Sequence, residues 1–196
     1  MDISVIVPCH NLELYISRCL KSILYQQYDG DMFEIIVVLD SCSDGTNQIV
    51  SEMLCGRGQD KILTVNFRSP GLARNAGLDI AEGKYVWFID GDDFLTDEYA
   101  FAKLVNRISE TNVPAVYLKR FTSEKTVAEN WAAWRFFYLR SFIGDVRFPD
   151  FPIDEDIEFF NVLSKRKGFR VAIMQDILYH HTFPRKGSIV TEFNKI

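Results

Sequence analysis

The chain has 196 residues, of which 47% are hydrophobic and 25% are charged, and its formal net charge is −5. These proportions are those of a soluble globular protein, and they exclude a disordered, collagen-like or low-complexity chain. The length predicts one domain. An acidic chain without a cluster of lysines and arginines is poorly suited to a phosphate backbone, so we expect no nucleic-acid partner.

The four cysteines and the short apolar runs exclude three further classes of protein, namely zinc-binding, disulfide-rich and membrane-spanning proteins. No two cysteines are spaced as CxxC and none lies near a histidine pair, so the sequence predicts neither a structural zinc site nor a disulfide framework. The longest apolar runs, Ile35–Leu39 and Tyr85–Ile89, are far shorter than the roughly 20 residues that span a bilayer. We expect no secretory signal, no membrane-spanning helix and a cytoplasmic protein.

The first half of the chain alternates β-branched apolar runs with apolar stripes at helical spacing. Strands are predicted at residues 3–7, 33–39, 61–67 and 85–89, and helices at 12–24, 46–54, 72–81 and 96–110. Such alternation predicts parallel βαβ units in an α/β fold, with helices on both faces of one sheet. The polar loops at 8–11, 40–44 and 90–93 follow strands, so they should share the edge where such sheets bind ligands.

The second half is less regular. Strands are predicted at 115–121, 170–174 and 177–181, and helices at 127–139 and 154–167, with a turn at 28–31 and a Pro-rich irregular stretch at 148–152. The helix at 127–139 would carry an aromatic face in a core or an acceptor pocket. The alternative is that its aromatic residues, with Arg135 and Arg140, lie on a membrane surface.

The most informative segment ends the fourth predicted strand, where a hydrophobic run leads into Asp90-Gly91-Asp92-Asp93. Three acids within four residues repel one another unless a cation or a helix N-terminus compensates. Carboxylates at a strand end suit Mg²⁺ or Mn²⁺, which one or two carboxylates hold together with substrate phosphates. Capping of the following helix by Asp92 or Asp93 is the simpler alternative.

Other polar segments have a functional and a simpler interpretation. Arg74 lies near a predicted helix N-terminus beside small residues, which suits an anion, although a surface salt bridge would also explain it. The loop at 40–46 is acidic but could be an ordinary capped turn. Glu155 and Asp156 open a predicted helix, where acids often only complement the helix dipole. Two adjacent histidines end the last predicted strand and could be structural or ligands.

The order of these segments resembles the inverting family 2 glycosyltransferases of GT-A fold. The resemblance is dense over residues 1–110 and sparser beyond, and it departs from the family at Leu39, where a first acid is usual. The matching residues are Pro8, His10, Asn11, Asp40, Asp44, Gly45, Thr46, Gly71, Ala73, Arg74, Asn75, Gly77, Ala81, Gly83, Tyr85, Asp90, Asp92, Asp93, Glu155 and Asp156. A weaker match to a C-terminal pattern of the family lies at Tyr179, Arg185, Ser188 and Ile189.

The resemblance implies a function. Proteins of this kind move a sugar from a nucleotide diphosphate donor to a hydroxyl group of a saccharide or lipid-linked acceptor in polysaccharide or surface-glycan synthesis. We expect a UDP-sugar as the donor here. Within one GT-A domain, residues 1–110 would bind the nucleotide-sugar and residues 111–196 the acceptor. Peripheral association with the inner face of the membrane would be compatible with such an acceptor.

The resemblance also implies residue roles. A divalent cation, Mg²⁺ or Mn²⁺, would neutralise the leaving diphosphate. Asp92 would bind it directly and Asp90 would support the metal or the ribose, with His180 or His181 as a further ligand. The donor pocket would include Pro8 and Asn11 in its wall, Asp40 on the uracil ring, and Arg74 beside the base or diphosphate.

The general base would be Asp156, with Glu155 orienting it or binding the acceptor, because those acids lie apart from the diphosphate-binding group. Only 61 residues separate Asp93 from Glu155. A protein with so short an acceptor region could instead bind nucleotide-sugar without transferring it, as a subunit of a glycan-assembly system. A sugar nucleotidyltransferase would need a Gly-rich loop after the first strand, and a redox Rossmann enzyme would need G-x-G-x-x-G; neither is present.

Overall fold

A computed structural model describes residues 1–28, 33–118 and 132–182 of the chain. The strands within these ranges are β1 (Ile3–Cys9), β2 (Phe33–Asp40), β3 (Lys61–Val65), β4 (Tyr85–Phe88), β5 (Phe94–Leu95), β6 (Ala115–Leu118), β7 (Phe136–Leu139), β8 (Val171–Met174) and β9 (Tyr179–His180). The helices are α1 (Ile16–Leu24), α2 (Thr46–Met53), α3 (Pro70–Asp79), α4 (Ala100–Thr111), α5 (Arg140–Ile143) and α6 (Glu155–Ser164), with a short 3₁₀ turn at Ala133–Arg135.

Seven strands form the central sheet in the order β3-β2-β1-β4-β7-β6-β8. β1 is parallel to β2 and β4, and β2 is parallel to β3, as the alternation of strands and helices predicts. β7 runs antiparallel to both its neighbours, whereas β6 and β8 are parallel. β5 and β9 form a separate antiparallel pair. The prediction of an α/β fold with a mostly parallel sheet is confirmed.

The sheet is buried on both faces, so its central strands are apolar at nearly every position. In β4, Tyr85 and Trp87 pack into one core with α1, α2 and α4. Val86 and Phe88 point the other way and pack into a second core with α3, α5 and α6. Because successive side chains of a strand alternate between faces, this pattern places helices on both sides of the sheet, as predicted.

Gly77 allows α3 to lie unusually close to the sheet. A Cβ atom at this position would lie 2.5 Å from Cγ2 of Ile6 and 3.3 Å from Cγ2 of Val38. A crossover helix runs back along the sheet, so its first turn lies at the carboxyl ends of the strands. The close approach of α3 therefore brings Arg74 to that edge.

The predicted helix at 127–139 is wrong over Phe136–Leu139, which form a strand, and among its described residues only a short 3₁₀ turn at Ala133–Arg135 is helical. Residues 127–131 lie outside the described ranges. Phe136, Phe137 and Tyr138 belong to β7 and are fully buried. Phe137 enters one core, while Phe136 and Tyr138 enter the other. A short strand buried on both faces is a continuous apolar run, which periodicity cannot distinguish from a buried helix. These aromatic side chains are core residues, not a membrane-facing surface.

Smaller differences concern element ends. The short strand β5 was not predicted, and α4 begins at Ala100, a few residues after its predicted start. The predicted turn at 28–31 and the end of the predicted strand at 115–121 fall partly outside the described residues. All four cysteines are free thiols. None of the helices in the described ranges combines the length and apolar character that a membrane crossing requires.

Candidate active site

The polar loops after β1, β2 and β4 meet at the carboxyl edge of the sheet, as expected from the sequence. His10 is exposed, and its Nδ1 atom lies 2.7 Å from the backbone oxygen of Asp40. Asn11 adopts a left-handed backbone conformation, and its Oδ1 atom accepts the amide of Ser43 at 2.8 Å. Pro8, near the end of β1, is half-buried. These contacts hold the first two loops together as one rim.

The Asp40 carboxylate is buried and organises the turn after β3. Its Oδ1 atom accepts hydrogen bonds from the amides of Phe67 and Arg68 and from the Ser41 hydroxyl, and its Oδ2 atom accepts the amide of Ser69 at 3.0 Å. Burial alone would raise the pKa of Asp40, but the hydrogen bonds that it accepts from the backbone amides lower its pKa below the usual value. Each carboxylate oxygen has about two acceptor positions, so the three donors of Oδ1 crowd that atom. Among the described residues, Oδ2 accepts only the amide of Ser69, so one acceptor position of Oδ2 is left.

The acidic loop after β4 is fixed from the C-terminal side of the chain. The hydroxyl of Tyr179 donates to Oδ2 of Asp93 at 2.6 Å, and the amide of Thr182 donates to Oδ1 at 2.7 Å. Burial, followed by the charges of Asp92 and Asp90, raises the pKa of Asp93 well above its usual value. Asp93 is therefore an anchor of the loop and does not cap a helix, whereas Asp90 and Asp92 remain partly exposed.

Arg74 joins two acidic segments that are distant in sequence. Its Nη2 atom donates to Oδ1 of Asp90 at 2.8 Å, and its Nη1 atom donates to Oε1 of Glu155 at 2.5 Å. Arg74 and Glu155 are both buried, so the alternative of a surface salt bridge is wrong. Burial alone would lower the pKa of Arg74, but Asp90 and Glu155 raise it. The guanidinium thus ties α3, the acidic loop and α6 together.

Asp156 is the half-buried acid next to this ion-pair cluster. Asp154 has a left-handed backbone conformation, which turns the chain into α6. Burial raises the pKa of Asp156 to about 6, with Arg74 lowering it and Glu155 raising it. A carboxyl group that loses its proton near neutral pH can accept a proton from a substrate at working pH. Glu155, in contrast, is engaged by Arg74.

The two histidines lie beside the acidic loop because β9 pairs with β5, which places His180 opposite Phe94. Their rings stack, His180 on Phe94 at 4.4 Å and His181 on Trp134 at 5.3 Å between ring centres. Burial, and then the charge of Arg18, lowers the pKa of His180. A role of either ring as a metal ligand stays a prediction, and residues 185, 188 and 189 lie outside the described ranges.

The carboxylates of Asp90 and Asp92 are suitable ligands for a divalent cation. Over residues 1–28, 33–118 and 132–182, no three His, Cys, Asp or Glu side chains form a ready-made metal cluster. A cation held by one or two carboxylates and by donor phosphates needs no such cluster. Asp90 and Asp92 lie partly exposed after β4, so their carboxylate oxygens are open to such a cation. The residues present therefore fit Mg²⁺ or Mn²⁺.

Comparison with known proteins assigns the family. Residues 4–178 match the sequence model described as Glycosyl transferase family 2. The chain belongs to this family. Among curated relatives, poly(ribitol-phosphate) beta-N-acetylglucosaminyltransferase TarS of Staphylococcus aureus (strain Mu50) is 28% identical over 209 residues, covering 95% of this chain and 36% of TarS. Minor teichoic acid biosynthesis protein GgaB of Bacillus subtilis is 25% identical, covering 95% of this chain and 23% of GgaB.

Solved structures assign the fold. A crystal structure of an S. aureus TarS fragment in complex with UDP-GlcNAc matches with a TM-score of 0.85 and 25% identity, covering 97% of this chain and 61% of that chain. The family 2 chain described here therefore has the GT-A fold. It spans about a third or less of the length of the two curated relatives named above.

Proposed function

We propose that this protein is an inverting, metal-dependent glycosyltransferase that moves a sugar from a UDP-sugar to a hydroxyl group. The proposal rests on the two ion pairs of Arg74. Because Arg74 binds both Asp90 and Glu155, the acidic loop and the start of α6 lie next to the same guanidinium group. Diphosphate departure and deprotonation of the acceptor occur in the same displacement, so both sets of acids are needed at one place.

The relatives suggest substrates for this family 2 chain. TarS is named as a beta-N-acetylglucosaminyltransferase and was crystallised with UDP-GlcNAc, and GgaB is named for teichoic acid synthesis. UDP-N-acetylglucosamine is therefore the first donor to test. The acceptor would be a hydroxyl group of a surface glycan or of a lipid-linked saccharide, in the acceptor-binding half at 111–196.

Each acid then has one task. Asp92, supported by Asp90, would hold Mg²⁺ or Mn²⁺, and when bound the cation neutralises charge on the leaving diphosphate. Asp156 accepts the proton of the acceptor hydroxyl from the opposite side. Arg74 positions both groups from its buried site, and a contact of its guanidinium with the base or diphosphate stays a prediction. A single displacement inverts the anomeric centre.

The donor pocket would lie on the rim of the first two loops. Pro8 and Asn11 form its wall, and the unused acceptor position on Oδ2 of Asp40 can take the N3 hydrogen of uracil. His180 or His181 would complete the metal coordination, since neutral imidazole is a suitable ligand for Mn²⁺.

A thermal-shift screen tests the proposed donor. A ligand that binds only the folded state stabilises it by about 2.7 kcal/mol when present at 100 times its Kd. We expect UDP-GlcNAc with Mn²⁺ to raise the melting temperature more than GDP- or CDP-linked sugars do, and EDTA to reduce the gain. No shift with any UDP-sugar in Mn²⁺ would contradict the proposal.

Asp92→Ala is expected to remove the effect of the metal on donor binding. Direct ligands matter at least as much as their outer partners, whose loss costs about 10–100-fold, so UDP affinity in Mn²⁺ should fall at least about 10-fold, to the value in EDTA. Calorimetric titration of UDP under both conditions measures this. Wild-type affinity for UDP in Mn²⁺ after the substitution would show that another group holds the cation.

Asp40→Ala is expected to abolish the preference for UDP over CDP, because cytosine has no hydrogen on N3. Loss of a hydrogen bond to a charged group costs about 1.5–3 kcal/mol, or about 10- to 150-fold in affinity. The ratio of the two affinities in one sample is the measurement, since it is insensitive to any loss of folded protein when the 67–69 turn loses its anchor. An unchanged ratio would remove Asp40 from base recognition.

A further inference from the structure

Arg18 lies on the exposed side of α1, yet its side chain reaches the acidic loop, 74 positions away in sequence. Its Nη2 atom donates to the backbone oxygen of Asp92 at 2.9 Å and to Oγ1 of Thr182 at 2.8 Å. The guanidinium carbon also lies 4.3 Å from the centre of the Phe94 ring, which stacks on His180. The Arg18 side chain therefore contacts the acidic loop, the strand β5 that follows it and the C-terminal end of the described chain.

Arg18 contacts the acidic loop at Asp92, a residue that the contacts of Asp93 do not hold. Asp93 is held through its side chain by Tyr179 and Thr182, and its amide donates to the backbone oxygen of Asp90 at 2.9 Å. Arg18 adds a charge-assisted hydrogen bond at the intervening residue.

We propose that Arg18 is a positioning residue that holds the backbone at Asp92, so that the Asp92 carboxylate is presented to a divalent cation. The inference rests on the proposed metal role of Asp92 and extends it to a side chain on α1. Arg18 would not touch the reacting atoms. It acts through the loop, and Thr182 shares the same guanidinium nitrogen.

The first measurement is UDP affinity in Mn²⁺ and in EDTA, by calorimetry. Outer partners of metal ligands are worth about 10–100-fold in metal affinity, and an exposed arginine belongs at the lower end. Arg18→Met should therefore weaken UDP binding about 10-fold in Mn²⁺ and leave it unchanged in EDTA. Arg18→Lys keeps the charge without the planar guanidinium group, so its UDP affinity in Mn²⁺ should lie between those of the wild type and Arg18→Met. Thr182→Val removes one of the two hydrogen bonds and should have a smaller effect than Arg18→Met.

The second measurement is hydrogen exchange in the metal-free protein. The Asp93 amide, bonded to Asp90, should exchange faster in Arg18→Met, whereas the Ile89 amide, bonded to the backbone oxygen of Ile6 at 3.0 Å, should not change. Unchanged exchange at Asp93 would overturn the proposal, and so would faster exchange with wild-type UDP affinity in Mn²⁺. If the wild-type protein itself binds UDP equally well in Mn²⁺ and EDTA, the metal role of Asp92 fails first, and this inference fails with it.

Discussion

Asp156→Asn is expected to slow sugar transfer by about 10²–10⁴-fold while leaving donor affinity nearly unchanged. The asparagine has the same shape and can still accept the amide of Ile157, which Asp156 accepts at 2.8 Å, but it cannot take a proton from the acceptor. Single-turnover transfer, alongside titration with UDP-sugar, separates the two effects. Glu158→Gln is the matched control, because it removes an exposed acid from the same helix and should leave the rate unchanged.

The pH dependence of transfer provides a second readout for Asp156. Its pKa of about 6 means that the carboxylate is the main form above pH 6 and is lost below it. The wild-type rate should therefore rise through pH 6 and level off above it, and Asp156→Asn should lack this rise. Arg74, Glu155 and Asp90 are the charged groups that act on Asp156. A wild-type transfer rate in Asp156→Asn would place the base elsewhere, with Glu155 as the next candidate.

Arg74→Met is expected to destabilise the fold by about 3–5 kcal/mol, because it leaves the buried Glu155 without its cation. Urea denaturation measures this loss. The substitution should also raise the pKa of Asp156, since Arg74 lowers it, and so move the acid limb of the transfer profile to higher pH. Arg74→Lys, which keeps the charge but not the fork, is the variant for measuring transfer if Arg74→Met does not fold.

The control for Arg74 is an arginine in an exposed pair. Arg147 lies 2.8 Å from Asp79, and both side chains are more than a third exposed. Exposed pairs contribute about 0–1 kcal/mol, so Arg147→Met should cost under about 1 kcal/mol. If Arg74→Met were no more costly than Arg147→Met, the buried ion pairs would not hold the two acidic segments together.

The first four strands and the first three helices could be predicted because their apolar patterns are strong and are separated by turn residues. The same reasoning placed the polar loops at one edge, since parallel strands end together. β7 could not be predicted in this way, because its identity as a strand depends on β4 and β6 on either side. β5 is two residues long and exists through its pairing with β9.

The acids proposed for the site could be named from local sequence, but the contacts that connect them could not. Arg74 and Glu155 are 81 positions apart, and no local pattern indicates that a buried arginine bridges them. The contacts of Asp40 with the turn after β3 were missed for a related reason, because its partners at 67–69 are backbone amides, which every sequence contains. Arg18 also left no signal, since its position on an exposed helix face is ordinary for a surface residue.

Metal-dependent, inverting transfer is tested by following UDP-α-N-acetylglucosamine by proton NMR in the presence of the protein and a divalent cation, with water as the acceptor. A metal-dependent inverting transferase should release UDP and sugar in equal amounts, with the β-anomer appearing first, and should do so only when Mn²⁺ or Mg²⁺ is present. Asp156→Asn should be inactive in the same assay. UDP release no faster than in a protein-free sample, despite donor binding in the thermal-shift screen, would identify a donor-binding subunit instead. First release of the α-anomer would contradict the single inverting displacement.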